Sequence, residues 1–134
     1  MFHDLVYTPS YMVDGVGTFA FRCRYPTDSE MLAYSGAIES ILERYREGDT
    51  PIAKAADRKT TDARRADIAR VYSDSALAVI LEVRIDGKEA PKNWRDEFKA
   101  EGRPGFVGSM LRAIGVHLFR GPTESSPESP AVGK

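Results

Sequence analysis

The sequence has few of the residues that carry covalent or metal-based chemistry. It contains one cysteine and two histidines in 134 residues. A single cysteine cannot form an internal disulfide bond, which fits a reducing compartment. Neither His3 nor His117 has cysteine, histidine or carboxylate neighbours at the spacing of metal ligands. The sequence therefore predicts no metal or cofactor site.

Long hydrophobic runs and net charge are also lacking. No apolar run approaches the roughly 20 residues of a membrane span. The first residues lack the basic and apolar segments of a signal peptide. The net charge is -1 at pH 7, which provides no overall attraction to nucleic acid or to an anionic membrane. We therefore expect a cytoplasmic protein that does not bind membranes.

What the sequence does contain is typical of one small globular domain. Hydrophobic residues make up 42% and charged residues 29% of the chain. The last stretch, GPTESSPESPAVGK, combines prolines with serines and glutamates, which disfavour both helix and burial. The sequence predicts a single domain over residues 1–120 and a disordered tail over residues 121–134.

The stretch GTFAFRCRYPTDSE predicts a strand followed at once by a helix. Alternation from Thr18 to Tyr25 places the aromatic residues and Cys23 on one face of a strand. Leu5–Tyr7 and Tyr11–Val13 are its expected partners, with a tight turn at Asp14-Gly15. Pro26 ends the strand, and the capping box from Thr27 to Glu30 begins the helix.

Helical spacing accounts for most of the remaining chain. The first helix is expected to end near Glu47, before Gly48, and residues 49–60 are expected to form a loop. A second helix is expected from Thr61 or Asp62 onward. Its continuation, Leu77–Ile85, fits either a helix or a strand because periodicity does not separate short buried segments of the two kinds. Asp86-Gly87 ends that element in either case.

Two further helices are expected near the end of the domain. KNWRDEFKA predicts a short helix, and residues 106–119 predict a longer one that is apolar on more than one face. Gly108 and Gly115 lie on another side of the longer helix, where a second backbone can approach closely. The predicted fold class is α+β: a small N-terminal antiparallel β-sheet packed against a bundle of about three to four helices.

The surplus of apolar residues in these last helices predicts a partner surface. One stripe of the longer helix is sufficient for the core, which leaves other aromatic and methionine side chains for an exposed groove. Ordinary core packing is the alternative explanation for the same breadth, and a homo-oligomer contact is another. The predicted partner-binding residues are Trp94, Phe98, Phe106 and Met110.

Catalytic constellations are not found in the sequence. Cys23 is expected to be an inert thiol, since Arg22 and Arg24 point to the opposite strand face. No nucleophile with a base and no pair of carboxylates can be assembled, so we expect a protein that is not an enzyme. A basic cluster from Lys54 to Arg70 is the basis of an alternative function as a small nucleic-acid-associated or regulatory adapter. A solvated helix face is the simpler interpretation of that cluster.

The order of these features resembles that of a known protein family. The strand and capped helix of GVGTFAFRCRYPTDSEMLAY, then EAPKNW, then a helix that ends at Phe119-Arg120 are similar to the small tail assembly chaperones of tailed bacteriophages and prophages. The resemblance covers roughly residues 15–120. It implies a non-catalytic protein of the bacterial host cytoplasm that binds the phage tape measure protein, or another tail component, and keeps it soluble.

Overall fold

The computed structural model describes residues 4–47, 50–51 and 58–120. The predicted tail over residues 121–134 and the predicted helix end at Gly48 lie outside the described residues. The strands are β1 (Val6–Tyr7), β2 (Ser10–Val13), β3 (Gly17–Arg24), β4 (Arg46–Glu47), β5 (Thr50–Pro51), β6 (Ile80–Ile85) and β7 (Lys88–Glu89). The helices are α1 (Asp28–Arg44), α2 (Arg58–Val79), α3 (Trp94–Lys99) and α4 (Gly105–Gly115), and α4 continues into a π-helical turn, Val116–Arg120.

The main sheet is antiparallel and is built around β3. Both β1 and β2 pair with β3. Strand β6 also pairs with β3, and β7 pairs with β6. Helices α2 and α4 pack together, and their buried side chains form one core with the inward face of β3. The predicted α+β class is confirmed. The sheet also takes two strands, β6 and β7, from the second half of the chain.

Local signals around β3 form as the sequence predicts. A turn after Val13 folds β2 back on β3, with Gly15 at a positive φ of 79°. Phe19, Phe21 and Cys23 are all buried on the same face of β3. Tyr25, which was predicted on that face, lies beyond the end of the strand and is exposed. At the start of α1, the amide of Glu30 donates to Thr27 Oγ1 and the Glu30 carboxylate accepts the amide of Thr27. The predicted capping box is confirmed.

The ambiguous segment Leu77–Ile85 is helix in its first part and strand in the rest. Helix α2 ends at Val79 and β6 begins at Ile80 without an intervening loop. The pairing with β3 skips Leu81, which forms a β-bulge. Because of the bulge, Ile80 and Val83 both point inward although they are three residues apart. That spacing is also helical, which explains why periodicity alone left the assignment open.

Two arginines bind the carbonyl groups at this helix-to-strand switch. Arg95 of α3 donates to the carbonyl oxygens of Leu77 and Ile80, and its guanidinium lies over the Trp94 ring. Arg24 donates to the carbonyl oxygen of Ala78, at 3.3 Å. The last turn of α2 contains no basic residue of its own. Guanidinium groups from β3 and α3 therefore satisfy the carbonyls that a helix end leaves unpaired.

The core face of α4 agrees with the sequence pattern. The predicted stripe is buried throughout: Val107, Leu111, Ile114 and Leu118. The close approach expected at the two glycines is confirmed for Gly115, where an added Cβ would lie 2.8 Å from the backbone carbonyl carbon of Tyr72. At Gly108 the nearest neighbour is the Arg103 side chain, at 3.4 Å. Gly115 is thus the point where α4 and α2 meet backbone to backbone.

The first helix ends earlier than expected and the second begins earlier. Helix α1 ends at Arg44, and Arg46–Glu47 form β4, which pairs with β5, instead of a last helical turn. The phenol of Tyr45 donates to Asp67 of α2, at 2.8 Å, so its side chain is fixed against the neighbouring helix. Residues 58–60 belong to α2 and not to the expected loop.

Candidate partner-binding surface

The four residues predicted to bind a partner lie close to the core. Phe98 and Met110 are buried, with 7% and 4% of their surface exposed, while Trp94 and Phe106 are half-buried. The expectation of an exposed groove at these positions is therefore wrong for Phe98 and Met110. The apolar breadth of the closing helix is used for packing against the sheet and α2, which is the alternative that the sequence left open.

Ring contacts explain why these side chains turn inward. Phe98 packs against Phe21 of β3 and against Trp94, with ring centroids 6.4 and 5.4 Å apart. Phe106 packs against Phe19, at 5.7 Å. The strand face and the short helix α3 come from distant parts of the sequence. Sequence spacing therefore gave no sign that the inward face of β3 would take up the surplus aromatic residues.

Cys23 lies in an environment that suppresses thiol chemistry. Its side chain is fully buried, and burial raises the pKa of the Cys23 thiol to about 11. Arg22 is exposed on the other face of β3, and Arg24 turns to Glu30. A thiol with this pKa carries little thiolate at neutral pH, so it is a poor nucleophile. This setting agrees with the expectation of an inert thiol, and the side chain is fully buried where half-burial was expected.

Metal-ligating side chains are scattered in the part of the chain that the structure describes. No group of three or more histidine, cysteine, aspartate and glutamate residues is placed there to hold a metal ion. His117 instead stacks on Tyr7, with ring centroids 3.9 Å apart and planes 7° from parallel. This stack fixes the π-helical turn against β1.

The described helices also include none with the length and apolar character of a membrane span.

Two members of the basic cluster, Arg65 and Arg70, lie at different parts of the surface. Arg65 lies beside α4, whereas Arg70 lies beside α3 near Lys99 and Arg103. The carboxylates of Asp74 and Glu101 line the same depression as Arg70. Lys54 lies outside the described residues. Arg65 and Arg70 therefore do not belong to one continuous basic stripe.

Helices α1 and α2 leave an apolar groove between them, which we call the α1–α2 groove. It has a volume of about 270 Å³. Most of its lining side chains are small, and two carboxylates and two aromatic rings complete it. The lining residues are Glu30, Ala33, Tyr34, Ala37, Val71, Asp74, Ser75, Ala78 and Phe119.

Tyrosine hydroxyls and an ion pair set the shape of this groove. The hydroxyls of Tyr34 and Tyr72 are hydrogen-bonded at 2.8 Å, which holds α1 to α2 through their tips. Arg24 forms two hydrogen bonds of 2.8 Å with the carboxylate of Glu30 and also contacts Ala78, so it joins the two walls at one end. The alanines between these two attachments have short side chains. The two helices are therefore joined at the attachments and leave a depression between them.

The Arg24–Glu30 pair makes stability depend on pH in the acid range. The Arg24 guanidinium, with help from the Thr27 amide, lowers the pKa of Glu30 to about 2. The pKa of Glu30 is lower in the folded protein than in the unfolded chain, where it is near 4.5. The charged carboxylate therefore stabilises the fold at pH values above 4.5. This stabilisation is lost as the pH falls towards 2, because the carboxylate is then protonated. We therefore expect Glu30→Gln to lower the free energy of unfolding at pH 7 by about 1 kcal/mol, because the pair is partly exposed to solvent.

Urea unfolding at a series of pH values measures this effect. The stability of the unchanged protein should fall more steeply between pH 4.5 and pH 2 than that of Glu30→Gln. Glu39→Gln, an exposed substitution on the same helix, should change stability at pH 7 by less than about 0.5 kcal/mol. Equal slopes for the unchanged protein and Glu30→Gln would contradict the role of the pair.

A second depression lies on the other side of α2, and we call it the α2–α4 groove. It has a volume of about 590 Å³. Its floor is largely apolar and two arginines lie at its margins. The lining residues are Arg65, Ile68, Ala69, Tyr72, Ser109, Arg112, Ala113 and Val116.

Comparison with known proteins gives no family assignment. The chain matches no protein-family model, no curated protein and no solved structure at the significance required.

Proposed function

We propose that the protein is a non-catalytic binding protein that acts like a phage tail assembly chaperone. Its partner is the tape measure protein, or another tail component, which it keeps soluble in the bacterial host cytoplasm during tail morphogenesis. The proposal is supported by the resemblance over roughly residues 15–120 and by a surface suited to a helical partner. The resemblance suggests the partner, and the grooved face of the helical layer suggests the mode of binding.

The observation that carries this proposal is the composition of the α1–α2 groove. Ala33 and Ala37 on one wall and Ser75 and Ala78 on the other are all small. Short side chains on both walls let the backbone of a third helix approach closely, and the apolar lining then excludes water from the contact. The buried ring of Phe119 closes the groove on its inner side.

Co-expression with a tape measure protein encoded beside this chain tests the proposal. We expect more soluble tape measure protein and a complex that co-purifies with the unchanged chain. Ala33→Glu should weaken the complex by about tenfold or more, because it places an unpaired carboxylate in the apolar contact. Ala33 is exposed at the groove, so this variant should remain folded, as judged by circular dichroism and thermal melting.

Ser35→Glu is the matched control for that variant. It introduces the same side chain at an exposed position of α1 that does not line the groove. Its complex should be as stable as that of the unchanged chain. If Ala33→Glu binds equally well, the partner does not use the α1–α2 groove. If the unchanged chain forms no complex and does not raise solubility, the chaperone function is rejected.

A further inference from the structure

The α2–α4 groove carries a pair of arginines that have no partner within the described residues. Arg65 and Arg112 are exposed, and neither forms an ion pair or hydrogen bond there. Three other arginines of the fold form ion pairs: Arg24 with Glu30, Arg44 with Asp67, and Arg84 with Glu82. The two arginines come from the two helices that line this depression, Arg65 from α2 and Arg112 from α4.

Charge in this groove has one sign. Its lining includes two arginines and no aspartate or glutamate. The α1–α2 groove differs in this respect, because Glu30 and Asp74 line it. A carboxylate that approached either wall of the α2–α4 groove would meet a cation with no competing anion in the lining. An apolar floor strengthens such a contact, since it excludes part of the solvent that screens exposed pairs.

The spacing of the lining residues matches the periodicity of a helix on each wall. On α2 they occupy positions 65, 68, 69 and 72, and on α4 and the π-helical turn that continues it positions 109, 112, 113 and 116. Each wall thus presents residues at i, i+3, i+4 and i+7, a span of about 10 Å or two helical turns. Side chains that recur every three or four residues on a partner helix fit between such walls.

Backbone contact beside the groove keeps its walls at a fixed separation. Gly115 has no side chain, and its neighbour Val116 lines the groove, while the backbone of Tyr72 lies directly against Gly115. Because this crossing is part of the core, the groove is a constant feature of the folded protein. Binding there therefore requires little rearrangement of α2 or α4.

We propose that the α2–α4 groove binds an acidic amphipathic helix of a protein partner, with Arg65 and Arg112 each pairing with a carboxylate at the edge of its apolar stripe. The floor residues Ile68, Ala69 and Ala113 would receive that stripe. A phosphate backbone makes no use of such an apolar floor, and this favours a protein ligand over nucleic acid. This site is separate from the α1–α2 groove. Its charged lining residues are basic, whereas those of the α1–α2 groove are acidic.

Titration with model peptides tests this site in the full chain. The probe is a capped peptide of about 18 residues with leucines at i, i+3, i+4 and i+7 and glutamates at the margins of that stripe. A twin peptide carries lysine at every glutamate position. Fluorescence anisotropy should show binding of the acidic peptide that weakens from about 50 mM to about 300 mM salt, and much weaker binding of the lysine peptide. Amide chemical shifts should change at Ala69, Ser109 and Ala113.

Charge reversal supplies the decisive comparison. The double variant Arg65→Glu and Arg112→Glu should bind the acidic peptide about tenfold more weakly or worse. Both side chains are exposed and unpaired within the described residues, so the fold should be retained. The control is Lys88→Glu with Lys92→Glu, which changes the net charge by the same amount at exposed positions outside the groove. This control should bind like the unchanged protein.

Each other outcome overturns the inference. Absence of acidic-peptide binding, equal binding of the lysine peptide, or no effect of the Arg65 and Arg112 reversal would each reject the acidic-helix site. A duplex DNA probe that binds through these two arginines in place of the peptide would assign the groove to phosphate. The outcome is independent of the chaperone function, because the Ala33→Glu co-purification test concerns the other groove and can succeed or fail separately.

Discussion

We expect Gly115→Ala to lower the free energy of unfolding by about 3 kcal/mol, which corresponds to a fall of roughly 10 °C in Tm. The added methyl group would overlap the carbonyl group of Tyr72, whose carbon lies 2.8 Å from the Cβ position. The obstacle is backbone in the middle of α2, so no side chain can rotate away to make room. Helices α2 and α4 would have to separate, which would loosen the core contacts that both make with the sheet.

Chemical denaturation of this variant should be compared with that of Gly36→Ala. Gly36 lies in the interior of α1, and a Cβ there meets nothing within 4 Å. Alanine has the better helix propensity, so this control should be more stable than the unchanged protein by about 0.5–1 kcal/mol. The two identical substitutions are thus expected to have opposite signs. A Gly115→Ala variant as stable as the unchanged protein would mean that the helices do not cross at this distance.

The second large effect is expected at Arg95. Arg95→Met should lower the free energy of unfolding by about 2–3 kcal/mol, because the carbonyl oxygens of Leu77 and Ile80 lose charge-assisted hydrogen bonds at a partly buried site. Methionine retains much of the apolar part of the arginine side chain. The decrease in the free energy of unfolding therefore measures mainly the contribution of the guanidinium group. The change should be visible in urea unfolding monitored by the fluorescence of Trp94, the single tryptophan of the chain.

Arg84→Met is the matched control for this prediction. Arg84 pairs with Glu82 at the exposed surface of β6, where an ion pair contributes about 0–1 kcal/mol. Circular dichroism should follow both variants, since the Trp94 signal is also sensitive to the nearby guanidinium. If Arg95→Met and Arg84→Met have the same small effect, the carbonyl groups at the helix-to-strand switch do not depend on Arg95.

The sequence predicted elements whose signals are local. The capping box needs only Thr27 and Glu30, and the turn after Val13 needs a glycine that accepts positive φ. The inward face of β3 follows from alternation, and the buried stripe of α4 follows from spacing along one helix. In each case a few neighbouring residues determine the outcome, so the pattern could be recognised without knowledge of the rest of the chain.

The end of α2 could not be assigned in this way. The change from helix to strand at Val79 and Ile80 depends on pairing with β3 and on guanidinium groups from Arg24 and Arg95, which are distant in sequence. Because of the bulge at Leu81, the inward-facing residues Ile80 and Val83 of the strand are three positions apart. A local pattern with that spacing is equally consistent with a helix.

The candidate surfaces were likewise decided by the tertiary structure. Met110 and Phe98 are apolar residues whose burial depends on whether another element covers them, and here the inward face of the sheet and α2 do so. Both grooves take their lining from helices separated by many residues in sequence. The sequence by itself determined the α+β class of the fold, the capping box at the start of α1 and the face of β3 that carries Cys23, because those depend on neighbouring residues. Tertiary packing decided which apolar side chains face solvent and which charges remain unpaired, since both are properties of the elements that surround a residue.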